Sequence, residues 1–169
     1  MDRSEAEDRI QRDCQPFLSL VGAAGMILYR GIDPRAPEVF EEHVDRARKP
    51  KKMPPLLHEA ADAWFSRNFG VRFRGAAVFC TGSKAQAGIH GKVYRIYPAG
   101  GFQFCWSPLV SDLHVWATKR TCLDEPADVL VKSLAELGYR EDGLAEAIVS
   151  GCEIMVACSR YYALIDGGN

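Results

Sequence analysis

Two charged side chains stand at the ends of runs that otherwise read as buried strands. Arg30 closes Met26-Ile27-Leu28-Tyr29, and Glu153 opens Ile154-Met155-Val156-Ala157. A guanidinium costs several kcal/mol to bury unless an anion or a set of carbonyls receives it, so Arg30 in such a place calls for a partner. A carboxylate at a strand edge beside an apolar pocket is a group whose proton affinity the fold can tune. Between them runs Phe79-Cys80-Thr81-Gly82-Ser83, a strand passing into hydroxyl and glycine residues whose Oγ and backbone groups can approach a sugar or phosphate closely. The plainer alternative makes Arg30 and Glu153 strand-end residues in solvent, or partners of each other.

Other chemistries find less support in the residue types. There is no GxxxxGK[ST] phosphate loop and no GxGxxG after a strand. His43, His58, His90 and His114 lie far apart, without HExxH or HxH spacing, so no metal is expected. Cys80 and His90 flank one loop and could form a nucleophilic pair, although lone cysteines in apolar runs are usually core. Six cysteines without a CxxC pair are read as reduced.

The 169 residues carry 21 Lys plus Arg against 22 Asp plus Glu, and 47% are hydrophobic, which excludes a disordered tail or a coiled coil and predicts one globular domain over 1–169. The charge is unevenly placed: residues 30–95 hold 13 basic and 7 acidic side chains, residues 112–166 hold 5 and 10. Six of the first nine residues are charged, and the longest apolar stretch, 18–28, is short of the ~20 residues that span a bilayer. A cytoplasmic protein without a membrane partner is expected.

The elements that must position these residues follow from periodicity. Helical spacing covers 3–21, interrupted by Pro16, and a strand is expected over 26–32. Residues 38–47 predict a charged amphipathic helix, 46–52 a basic extended loop, and 56–69 a helix stopped by Gly70. Strands are predicted at 76–80, 92–97 and 100–106, with a short helix between the first two and a turn over 107–112. Helices follow at 126–138 and 143–149, and strands at 153–158 and 161–165 close the chain. Helices first and strands mostly later predict an α+β fold.

The order arginine, hydroxyl, glutamate resembles the arginine-serine-glutamate group of mono-ADP-ribosyltransferases. The likeness rests on Leu28-Tyr29-Arg30-Gly31 on a first strand, on the strand ending at Thr81 and Ser83, and on Glu153 opening a later strand, and it extends loosely over 25–165. It implies a split β-sheet core preceded by N-terminal helices, with NAD as co-substrate. Arg30, with Gly31 beside it, would bind the ribose and diphosphate, Thr81 and Ser83 would organise the pocket, and Glu153 would be the catalytic carboxylate. An aromatic face for nicotinamide would come from Tyr94, Phe102 or Trp106. Breaking the bond from ribose to nicotinamide builds cationic charge on the sugar, which a carboxylate stabilises without attacking it.

This chain departs from the family pattern at two places. Cys80-Thr81-Gly82 stands where Ser-Thr-Ser is expected, and Gly151 occupies the position, two before the glutamate, whose Glu or Gln helps to select the acceptor. An arginine acceptor is therefore not implied, which leaves another protein nucleophile, nucleic acid, or hydrolysis of NAD. The basic loop 46–52 offers cations for a nucleic-acid or acidic partner. The resemblance implies a transferase of the small kind that phages or bacteria direct at a host, acting in the host cytoplasm. Two other classes compete with it: a non-enzymatic phage or bacterial inhibitor on the same fold, in which Gly82 and Gly151 mark lost chemistry, and a hydrolase using Cys80 and His90.

Overall fold

The computed structural model describes residues 1–45, 49, 53–120 and 122–167. Two antiparallel sheets organise the chain, and strand alternation explains their stacking. In the order β1-β4-β7-β2, the first sheet contains β1 (Leu28–Ile32), β4 (Lys92–Ala99), β7 (Arg160–Ile165) and β2 (Val39–His43). The second contains β3 (Val78–Cys80), β6 (Ile154–Ala157) and β5 (Gln103–Trp106), ordered β3-β6-β5. Tyr161 and Ala163 of β7 point into a central core with Ile154 and Val156 of β6, because side chains two apart share a face. Their neighbours Tyr162 and Leu164 turn outward onto helix α1 (Arg3–Asp13), and Met155 turns outward onto a second core.

That second core is built by α3 (Pro55–Phe69) and α7 (Ala127–Glu136). Leu130 and Leu134 are fully buried on α7, each stabilising by about 1.5–3 kcal/mol, and α3 ends at Gly70 with φ +74°. The mixed architecture is α+β, and among the described residues no helix is long and apolar enough to cross a membrane.

Three elements differ from expectation. The helix over 3–21 is two helices, α1 and α2 (Gln15–Val21), because Pro16 lacks the N–H that would continue the first. Residues 39–43 form β2, an edge strand, rather than a helix. Pairing with β7 and the seating of Phe40 against Tyr94 and Tyr161 outweigh local helical spacing. The expected turn at 107–112 leads into α6 (Leu113–Lys119), whose N-cap is Asp112, accepting from the Val115 N–H at 2.9 Å. The basic loop 46–52, apart from Lys49, lies outside the described residues.

Candidate functional site

The two sheets meet at one backbone bridge. Tyr29 N–H donates to the Thr81 carbonyl at 2.7 Å, and Thr81 N–H returns a bond to the Tyr29 carbonyl at 2.9 Å. This ties β1 to the end of β3 and sets Arg30 beside the hydroxyl segment. A cavity of about 360 Å³ opens there, at the lower end of the range for small-molecule sites. Arg30, Gly31, Thr81 and Glu153 all line it.

The Arg30 backbone pairs with Tyr94 of β4, but its guanidinium makes no hydrogen bond or ion pair among the described residues and faces the cavity. Glu153 does not pair with it. Arg74, on the short helix α4 (Phe73–Ala76), donates from Nη1 to Glu153 Oε1 at 2.9 Å, and the two side chains are only 7% and 11% exposed. Burial pushes the Glu153 carboxyl above its ordinary range, and nearby Asp112 adds to the rise. The Arg74 guanidinium and the Leu113 N–H oppose it.

Arg74 is itself fixed from two further sides. Its backbone N–H and that of Gly75 donate to Asp62 Oδ1 at 2.9 and 3.2 Å, and its guanidinium lies over the Phe79 ring at 4.3 Å. Among the described residues Arg74 Nε and His114 Nδ1 are buried without a hydrogen-bond partner, and both residues line the cavity. His58, Asp112 and His90 complete much of the polar wall, with His90 Nε2 4.0 Å from Asp112 Oδ2. Among the described residues no group of three or more His, Cys, Asp or Glu could hold a metal ion.

The hydroxyls and glycines have local reasons. Thr81 Oγ1 donates to the Gly151 carbonyl at 2.7 Å and accepts from the Ser83 N–H at 3.1 Å, so it joins β3 to the segment carrying Glu153. A Cβ on Gly82 would stand 1.8 Å from the Ile148 carbonyl oxygen of α8 (Leu144–Ser150). Packing against α8 leaves no room for a side chain at that position. Gly151 ends α8 with φ +71°, a conformation that a Glu or Gln would adopt only under strain. Gly31 lets α5 (Lys84–Gly88) approach β1, since a Cβ there would meet the Ala87 carbonyl oxygen at 2.1 Å.

Four of the expected site residues lie elsewhere. Ser83 caps α5, its Oγ accepting from the Gln86 N–H at 3.2 Å, and it does not line the cavity. Tyr94 is fully buried in the central core and donates its hydroxyl to the carbonyls of Ala36 and Pro37. Trp106 is likewise buried, its Nε1 donating to the Asp142 carbonyl at 2.8 Å with Arg140 over its ring. Phe102 packs against Phe17. Strand alternation points Tyr94 and Trp106 inward, and the aromatic walls of the cavity are Tyr29 and Phe79. Arg74 escaped the sequence reading because nothing in Val71-Arg72-Phe73-Arg74-Gly75 distinguishes it from solvated Arg72.

Cys80 also lines the cavity, but burial pushes its thiol up to about 12, leaving it neutral and weakly nucleophilic. All six cysteines are free. No protein-family model, curated protein or solved structure matches the chain.

Proposed function

We propose that the protein is an NAD-dependent mono-ADP-ribosyltransferase with a split-sheet core of that family's kind, transferring ADP-ribose to a protein or nucleic-acid acceptor and releasing nicotinamide. The observation that carries this reading is the pairing of roles in one cavity: a guanidinium, Arg30, that bonds no side chain among the described residues, and a buried carboxylate, Glu153. The residues present suit the co-substrate. Arg30 offers its donors to the diphosphate and ribose, Tyr29 and Phe79 offer apolar faces for the nicotinamide, and Glu153 stands ready for positive charge on the ribose.

NAD supplies an activated glycosidic bond whose cleavage makes the sugar cationic. Glu153 stabilises that charge, and its burial strengthens the effect because little water screens it. Arg30 acts in the ground state by holding the phosphates. With a left-handed glycine at 151, an arginine acceptor has no dedicated side chain, and the proposal is for another nucleophile or water. The neutral Cys80 thiol makes the Cys-His hydrolase the weaker reading.

Nicotinamide release and NAD affinity, measured side by side, test the assignment. Glu153→Gln keeps an acceptor toward Arg74 and removes the charge. It should leave affinity within a few-fold and cut turnover at least ~100-fold, about 2.7 kcal/mol. Arg30→Ala should weaken NAD binding more than it slows chemistry. Unaltered turnover in folded Glu153→Gln, or a wild type that neither binds nor cleaves NAD, ends the transferase reading.

A further inference from the structure

We propose that Arg74 is a positioning residue of this site: it fixes the Glu153 carboxylate against the cavity and keeps it charged at neutral pH. The proposal rests on the transferase reading and adds a residue that the resemblance does not supply. Arg74 and Glu153 are 79 positions apart and are brought together by the packing of α4 on β6. Their Nη1 to Oε1 bond of 2.9 Å is made where both side chains are about nine-tenths buried.

A carboxylate so placed either finds a cation or takes up a proton. Arg74 is the cation bonded to it. The groups around Glu153 are otherwise divided: the charges of Asp112 and Tyr139 act on it, the Leu113 N–H favours its charged form, and Arg30, His58 and His114 line the same cavity. Arg74 has little freedom to leave, because Asp62 holds its backbone and Phe79 lies under its guanidinium. Its Nε nevertheless has no acceptor among the described residues, so the bond to Glu153 is not one link of a saturated network there.

The chemical consequence has a sign. Without Arg74, burial and Asp112 both push the Glu153 proton affinity upward, so the ionised form that the reaction uses appears only at higher pH. A purely structural ion pair, once broken, lowers stability and leaves the titration of activity where it was.

The experiment follows the Glu153 carboxyl carbon by ¹³C NMR across pH in the wild type, Arg74→Gln, Arg74→Met and Arg74→Lys. Glu153→Gln assigns the resonance, and amide spectra verify folding. In the wild type Glu153 should be ionised at pH 7. In the Gln and Met variants its midpoint should rise, and turnover at pH 6 should fall at least ~10-fold further than at pH 9, with NAD affinity within a few-fold of wild type. Arg74→Lys should restore most of both. A midpoint that does not move in a folded neutral variant overturns the proposal, as does a protonated Glu153 in the wild type at pH 7, which needs no variant. A wild type that releases no nicotinamide removes the transferase reading instead, while the titration still decides what Arg74 does to Glu153.

Discussion

Adding one methyl group at Gly82 tests how tightly the hydroxyl segment is locked to the helix that delivers Glu153. In Gly82→Ala the new Cβ would lie 1.8 Å from the Ile148 carbonyl oxygen, 2.5 Å from its carbon and 2.9 Å from its Cα. These are backbone atoms at the end of α8, and no rotamer change relieves the clash. The helix end must retreat by about 1 Å or more, which places the cost at or above the ~3 kcal/mol upper end of ordinary overpacking. For a chain of this size that corresponds to roughly 6–12 °C in Tm.

The displaced helix leads through Gly151, the acceptor of the Thr81 hydroxyl, to Glu153, so nicotinamide release should fall as well. Thermal and urea denaturation of Gly82→Ala should be compared with Gly22→Ala. Gly22 sits at φ −63° with nothing within 4 Å of its added Cβ, and Ala there should be neutral or stabilising by up to ~1 kcal/mol. A Gly82→Ala protein within 0.5 kcal/mol of wild type refutes the packing account of this glycine.

Acid stability and thiol reactivity give two further checks. Bonds from Arg12, Tyr162 and Arg160 hold the Asp13 carboxyl well below its ordinary value of 3.8, so its contribution is present above that pH and is lost as pH falls below it. Urea midpoints should therefore decline below about pH 4, and Asp13→Asn should flatten that limb. Asp166 should act in the same direction: burial alone would raise it, but Lys84 and Arg95 hold it lowered. Glu153, whose carboxyl is raised, works the other way and costs stability as pH rises through its folded midpoint. In native protein at pH 8, iodoacetamide should label the part-exposed Cys152 well before the buried Cys80, read by peptide mass spectrometry. Preferential labelling of Cys80 would favour the Cys-His hydrolase.

What the sequence by itself determined is local. The spacing of Leu57, Ala61 and Phe65 and the glycine at 70 specify α3, because a 3.6-residue period and a left-handed stop are written within one segment. The short unbroken apolar runs within 153–158 and 161–165 mark strands buried on both faces, and Arg30 and Glu153 stand out as charges against apolar runs. Only the tertiary structure decided the rest. Residues 39–43 became β2 because the hydrogen bonds and apolar partners of that segment lie on β7, more than 100 positions away. Tyr94 and Trp106 turned into the core, since which face of a strand is buried depends on the sheet opposite. The cation for Glu153 came from Arg74 on a four-residue helix whose own sequence carries no mark of it. A charge shows its need for a partner locally, whereas the identity of that partner is set by packing between segments that no short window of sequence contains.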